Sequence, residues 1–568
     1  MKPPIRYIWL PLILILFATS LTGNWFYYAS SAGFYAYTIT IGLLAVFAAL
    51  LLSFPGNRIA LPLSLPLGIF FIYTSYILLN SIAKGGFNYI SLWALANFIF
   101  ALSTTLLLFS APNQPFPTPN AQTIDRLLTG LSLLAAIESL VCIAQFGKLL
   151  PSYDPHFPVT GTMENPNIAA MFLALCLPAI LTFILQQNKS LRKLSIGIFV
   201  LVLIALALLN CRSAIIGSAV ATFLFLLFQF DALAKRRRLT TLLITAVLLL
   251  LCFPLSRYLY QLKRPSADGR QFIWRLSARI AAENPATGIG YGHFQQQFNL
   301  RQAEFIRSGN ATSQEQHNAR TVYVAYNEYL QNAVEGGIPG VVLYIALLTA
   351  LLLAPLRSVK TGRNSPGLIT AWSAMAGFAV MSAVNFTAQA IPLTGLFSVY
   401  AAILMSYSPA RPIASRVLPG YALVLFLVIT GAYIDITQVR TAIADNKNRQ
   451  ARQWLADHQP ELALSILPSL AGPLAGYESY WKNYGYALVA DKKYAAALPI
   501  LQKAKTLVTE PGLFMATGYC YAQLKNDQAA IPQYQEAIYL EPSRPESRAA
   551  LSSLLETTIV SLTTETKK

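Results

Sequence analysis

The run LSIGIFVLVLIALALLNCRSAIIGSAVATFLFLLFQF, residues 194–230, is almost continuously apolar, with Asn210-Cys211-Arg212-Ser213 in its middle. As one helix it would be about 55 Å long at about 1.5 Å per residue, against a hydrocarbon core of about 30 Å. It therefore reads as two membrane-spanning helices, 194–210 and 212–230, joined by a very tight turn that carries Arg212. Outward from it lie further apolar runs near 7–23, 36–54, 60–82, 90–110, 127–149, 167–187, 239–256, 338–356, 366–384, 388–407 and 417–436, which makes about thirteen spans. The expected fold class is all-α, a polytopic membrane helix bundle.

Composition agrees: of 568 residues, 55% are hydrophobic and only 12% charged, outside the range of soluble globular chains. The formal net charge of +18 comes from short clusters beside apolar runs, such as Lys235-Arg236-Arg237-Arg238. That is the positive-inside pattern, and it argues against a nucleic-acid partner. Lys2 and Arg6 precede the first run; with so many spans following, a retained first helix is preferred to a cleaved signal. With the amino terminus in the cytoplasm, Arg58, Lys189-Arg192-Lys193, Lys235 to Arg238, Arg357-Lys360-Arg363 and Arg411-Arg416 all fall in cytoplasmic loops. The opposite face then receives residues 151–166, the Arg212 turn, a large insert at 257–337 and everything after Asp435. The domain division is a membrane domain, 1–436, and a tail, 437–568. Five scattered cysteines show neither paired nor metal-ligand spacing.

The tail is near neutral in charge, rich in helix formers and repetitive. Gly485, Ala497, Leu501 and Ala504 recur 33 residues later as Gly518, Ala530, Tyr534 and Ala537, while Trp481 and Pro542 stand where tetratricopeptide repeats place such residues. The tail resembles that repeat family and is expected to be an α-solenoid. It would be either a folded cap on the membrane domain or a groove for a protein partner.

Chemistry is sought in the insert and the turn. Arg212 is costly at the end of two apolar helices unless it reaches water or an anion. On one helix, Arg270 and Trp274 share a face, with Arg275 and Arg279 on a neighbouring one. A guanidinium fork suits phosphate oxygens, so a lipid-borne diphosphate is a natural ligand; a basic helix against anionic headgroups has the same composition. Asn327, Gln331 and Glu335 form a polar stripe at helical spacing, suited to sugar hydroxyls or to accepting a proton, or equally a solvated face. His317 lies close to that stripe in sequence, and imidazole is the side chain poised to take a proton near neutral pH. Gly288-Ile289-Gly290-Tyr291-Gly292 mimics a dinucleotide loop, but no strand precedes it and tight turns explain it better. Motifs for nucleotide, metal or serine-hydrolase chemistry are missing, so no cofactor and no metal are expected.

Five segments occur in the order seen in the O-antigen ligase family, which also holds O-antigen polymerases and bacterial protein O-oligosaccharyltransferases. They are Gly161-Thr162-Met163-Glu164-Asn165-Pro166-Asn167, Cys211-Arg212-Ser213-Ala214, Asp268-Gly269-Arg270 with Trp274, Asn284-Pro285 before the glycine turn, and Asn327-Glu328-Tyr329-Leu330-Gln331 with Glu335 and Pro339-Gly340. The resemblance implies a metal-independent, inverting glycosyl transfer at the periplasmic face of a bacterial inner membrane. The donor would be a glycan on undecaprenyl diphosphate, and the acceptor a hydroxyl of lipid A core, a glycan or a protein. Arg212, Arg270 and Arg275 would hold the diphosphate, Asn165, Asn327 and Gln331 would position substrate, and the catalytic group would come from His317, Tyr326 or Glu335. One departure stands out: many members carry histidine where this chain has Tyr326, and a phenol of pKa near 10 is a poor base. A glycan or lipid transporter would need buried charges through several spans, and a scaffold displaying repeats would not need the ordered arginines.

Overall fold

The computed structural model describes residues 32–53, 58–62, 64–86, 88–109, 119–186, 188–229, 264–360, 365–407, 410–414 and 418–565. In lipid, a chain must satisfy its backbone polar groups within the segment, so the apolar runs form helices. The first seven are α1 (Ala32–Ser53), α2 (Leu65–Lys84), α3 (Tyr89–Leu108), α4 (Ala121–Phe146), α5 (Pro166–Ile184), α6 (Lys189–Leu209) and α7 (Arg212–Gln229). The insert holds α8 (Arg264–Glu283), α9 (Phe294–Arg307) and α10 (Ser313–Asn318); then come α11 (Glu328–Lys360), α12 (Pro366–Ser382), α13 (Ile391–Ser406) and α14 (Leu418–Ala456). Among the described residues, nine helices are long and apolar enough to cross a membrane: α1 to α7, α11 and α14. Two more expected spans, 366–384 and 388–407, are the shorter apolar helices α12 and α13, of 17 and 16 residues. The spans expected at 7–23 and 239–256, with Lys2, Arg6 and the Lys235 to Arg238 cluster, lie outside the described residues. Apart from helices, the described residues form one short antiparallel ladder, β1 (Arg58–Pro62) with β2 (Ala410–Ala414).

The tight turn in the opening run is as short as a helix junction allows. Helix α6 ends at Leu209, Asn210 takes the left-handed conformation at φ 47° and ψ 49°, and α7 begins at Arg212. Asparagine tolerates that region better than most residues, which is why it closes the helix here. Helix α5 is buried along nearly its whole length and sits at the centre of the core. Helices α1 and α14 cross at a pair of glycines: a Cβ at Gly42 would come within 2.8 Å of Gly431 O, and one at Gly431 within 2.7 Å of Gly42 O. Small residues at such a crossing let the backbones meet closely, the main source of helix association in lipid.

Two features depart from the reading of the sequence. Helix α11 is two helices across a kink at Gly337, where φ is 64° and ψ −160°, and the span expected at 338–356 begins at that kink. Helix α14 does not stop near residue 436 but runs on as one helix of 39 residues, so the expected domain boundary falls inside it.

The tail adds α15 (Pro460–Ile466), then α16 (Glu478–Ala490), α17 (Tyr494–Lys505), α18 (Pro511–Gln523), α19 (Asp527–Leu540) and α20 (Pro545–Glu565). The eight residues of the 33-residue echo are all buried, between α16 and α17 in one unit and α18 and α19 in the next. A Cβ at Gly485 would sit 2.5 Å from Leu501 Cδ2, and one at Gly518 would sit 3.0 Å from Tyr534 Cε1. Glycine at that position lets each helix pair close. The tail also docks on α9 of the insert. Gln295 and Thr509 exchange a pair of hydrogen bonds, side-chain Nε2 to Thr509 O at 2.8 Å and Thr509 N to Oε1 at 2.9 Å. Gln296 Nε2 donates to Lys505 O at 3.1 Å, Gln302 Nε2 to Leu540 O at 3.3 Å, and Arg307 pairs with Glu536.

Candidate functional site

Four chain segments meet at one end of the bundle: the α6–α7 turn, α8, the stretch 319–327 before α11, and the loop between α12 and α13. Helix α8 lays its Arg270 and Trp274 face on residues 325–326. Trp274 Nε1 donates to Ala325 O at 2.9 Å, and the Arg270 guanidinium lies 5.0 Å from the centre of the Tyr326 ring. Arg270 Nη1 also donates to Val384 O at 2.8 Å. In the same loop, Asn385 Nδ2 donates to Ser213 Oγ at 2.9 Å, and the Phe386 ring meets Tyr326 edge-on at 5.5 Å. Ser213 follows Arg212, so the turn of α6–α7 and the arginine of α8 are tied together through the α12–α13 loop.

The electrostatics follow from that geometry. Burial lowers the pKa of Arg270 from its usual value; Tyr326 and Cys211 work against the shift, and the charge of Arg212 works with it. Two guanidiniums within electrostatic reach of each other, one partly desolvated, make a place where an anion is favoured. Burial raises the pKa of the Tyr326 phenol, with Arg270 opposing. A phenol shifted upward is a weak proton acceptor at neutral pH, so its value here is the ring under Arg270 and a hydroxyl that donates. Tyr326 also has φ 52°, a left-handed backbone that bulky residues rarely adopt. Such strain persists only where the surroundings enforce it, and here the Trp274 and Gln331 hydrogen bonds fix Ala325 just before it.

The remaining expected site residues are accounted for one by one. Asn165 caps α5 by accepting from Asn167 N at 2.9 Å, and Asn327 Oδ1 accepts from Leu330 N at 3.0 Å in the first turn of α11. Gln331 Oε1 accepts from Ala325 N at 2.8 Å. Glu335 is buried, and its Oε1 accepts from Gly292 N at 2.9 Å and Phe294 N at 3.2 Å, where α9 begins. The stripe of α11 therefore latches neighbouring backbone and is not a solvated face. Arg275 is turned to the surface, where it pairs with Glu315 and lies 5.6 Å from the Phe305 ring; His317 is exposed on α10. Neither belongs to the Arg212–Arg270–Tyr326 group as the structure assembles it.

Glu328 was missed in the sequence. It is buried and its Oε1 accepts from Ala388 N at 2.8 Å, while Trp93 Nε1 donates to Ala388 O at 3.0 Å. These two bonds hold the loop whose Val384 carbonyl orients Arg270. A glutamate at the start of a helix that becomes a membrane span was the available signal, since a carboxylate there needs a partner.

The latch formed by Glu335 gives a separable expectation. Glu335→Gln keeps an acceptor oxygen for the two amides, so the melting temperature in detergent should fall by no more than a few degrees. Glu335→Ala leaves both amides unpaired and should cost about 2–4 kcal/mol. Equal melting of the alanine and glutamine variants would refute the latch.

Residues 197–345, which run from α6 through Arg212, Arg270 and Tyr326 into α11, match the family model described as O-antigen ligase. No curated protein matches the chain. The protein is thus a multi-helical membrane protein in which the segment holding the paired arginines is similar to O-antigen ligases.

Proposed function

We propose that the protein transfers a glycan from an undecaprenyl-diphosphate carrier to an acceptor hydroxyl at the periplasmic face of a bacterial inner membrane. The observation that carries this reading is the placement of a half-buried Arg270 within reach of the Arg212 charge, at the end of an apolar bundle and inside the ligase-like segment. The acceptor oxygen attacks the anomeric carbon from the face opposite the diphosphate, so the configuration inverts. The bond from that carbon to the diphosphate oxygen breaks, and its electron pair leaves with the diphosphate. The two arginines meet that growing charge where water is scarce, and there a fixed cation is worth most. The acceptor proton leaves to His317 or Glu335, and Tyr326, as a neutral phenol, is proposed for catalysis as a hydrogen-bond donor at the same step; His317→Ala, Tyr326→Phe and Glu335→Gln separate the three roles. Arg275 is proposed as a surface contact for the carrier's headgroup side, and Asn165, Asn327 and Gln331 as positioning residues that hold the walls. The tail is proposed as a tetratricopeptide-type solenoid. No metal enters the step.

The test is a reaction of purified protein in nanodiscs with undecaprenyl-diphosphate-linked glycan and, in turn, lipid A core, free glycan and protein acceptors. Release of undecaprenyl diphosphate that depends on acceptor, persists in EDTA and is lost in Arg212→Ala is the expected result. A ladder of donor-derived products without added acceptor would mark a polymerase. An untouched donor with every acceptor would overturn the reading in favour of a transporter or scaffold.

A further inference from the structure

Helix α9 bonds to both the tail and the 319–327 stretch, and three of its polar side chains, Gln295, Asn299 and Gln302, fall on one face at i, i+4 and i+7. Asn299 and Gln302 are buried. Asn299 holds Val322 by both of its backbone groups: Nδ2 donates to Val322 O at 2.8 Å, and Oδ1 accepts from Val322 N at 2.9 Å. Gln302 Nε2 carries two hydrogens and has two carbonyls within reach, Arg320 O at 3.1 Å and Leu540 O at 3.3 Å. The first belongs to the stretch and the second to the end of α19. A single amide therefore joins the tail to the segment that carries Tyr326.

Packing repeats the connection. Ala319, where the stretch begins, is buried with Ile306 and Ala311, and Tyr539 of α19 packs against that group. Towards the other end, Ala325 is buried in one cluster with Phe294 and Phe298 of α9, and Val322 and Tyr326 pack beside it. From there the path to the arginine is short: Trp274 holds the Ala325 carbonyl, and the next ring lies under Arg270. Glutamine and asparagine on an exposed helix would be satisfied by water. Buried and bonded to the backbone of two other segments, they fix one relative placement of all three, and a shift of one segment breaks bonds in the others.

We propose that Asn299 and Gln302 are positioning residues, through which the seating of the tail on α9 sets the place of Tyr326 beneath Arg270. The tail is then part of the frame of the site. Seated, it holds the ring; lifted, it lets the stretch slacken from Arg320 onward. The link between tail and stretch rests on these contacts alone, and its effect on turnover rests on the transfer reading above.

The test uses full-length protein in nanodiscs and two variants. Gln302→Met keeps the length of the side chain and removes both hydrogens. Gln295→Ala combined with Glu536→Lys loosens the tail through the Thr509 and Arg307 contacts, whose bonds do not involve residues 319–327. Hydrogen exchange of the 319–327 peptide is read by mass spectrometry, and transfer from undecaprenyl-diphosphate-linked glycan gives kcat and KM. The peptide should exchange tenfold faster or more in both variants, while α8 and α16 to α19 exchange as in wild type. The kcat should fall tenfold or more with the donor KM within about twofold, because a small misplacement of a catalytic group slows turnover while both arginines remain to hold the donor. Unchanged exchange of 319–327 in either variant overturns the link, and so does exchange raised throughout the insert and tail, the mark of a merely structural role. Faster exchange confined to the stretch with unchanged kcat overturns the positioning role. The same faster exchange in a protein that never consumes the carrier-linked glycan sustains the link and overturns the transfer reading.

Discussion

Arg270→Ala should lower glycan transfer about a thousandfold or more while leaving a folded, membrane-inserted protein. The size follows from what the side chain does: a preorganised donor or cation aimed at charge that develops in the transition state is worth about 10²–10³, and an arginine on a transferring phosphoryl group about 10³–10⁵. Folding should survive because Trp274, one turn along α8, keeps its bond to Ala325 O and α8 keeps its buried Phe272 and Leu276. The Val384 carbonyl loses one donor at a half-buried place, a cost of about 1–3 kcal/mol at most. Arg270→Lys should fall between the two, since it restores charge without the fork that can bond Val384 and an anion together. The measurement is the single-turnover release of undecaprenyl diphosphate, with melting as control. Normal release from the alanine variant would remove Arg270 from the site.

The second large effect is structural. Gly288→Ala should cost several kcal/mol, about 3–5, and reduce the yield of folded protein sharply. Gly288 has φ 65°, and a Cβ there would lie 2.3 Å from Glu335 O and 2.6 Å from Gly337 N. Those neighbours are backbone and cannot rotate away. Gly337 is itself at φ 64°, with its own Cβ position 2.6 Å from Pro285 O. The two glycines thus form one clasp, closed by Ile289 N to Val334 O at 2.9 Å and Ile338 N to Pro285 O at 2.8 Å. Gly269→Ala is the control, for a Cβ there meets nothing within 4 Å and alanine favours helix. Melting of Gly288→Ala within a degree of wild type would show that the clasp is dispensable.

What could be read from the chain, and what could not, divides along physical lines. Spans are legible because lipid admits few structures and twenty apolar residues in a row leave no other use for them. The Arg212 junction is legible because its flanking runs are too long for one crossing. The faces of α8 follow from helical periodicity, which places Arg270 and Trp274 together before any contact is known. Partners distant in sequence are not legible. Nothing near Arg275 announces Glu315, and nothing in the Asn327, Gln331, Glu335 stripe says that its oxygens are taken by Ala325, Gly292 and Phe294 amides. The glycine turn reads as a turn, yet its docking on the Gly337 kink depends on two backbones meeting. Asp445 of the tail and His293 of the insert line one cavity of 860 Å³, a meeting that no local pattern encodes. The run-on of α14 was hidden because its apolar signal fades while helix formers continue.

That last helix carries a mechanical consequence. At about 1.5 Å per residue its 39 residues make a rod of roughly 58 Å. The hydrocarbon core takes about 30 Å of that, so nearly half stands clear as a stem. On such a stem height and heading are geared together: each residue of length turns whatever it carries by about 100°. The distance between tail and bilayer therefore cannot drift without turning the tail off α9, and the register of the stem acts as the gauge that keeps Thr509 opposite Gln295.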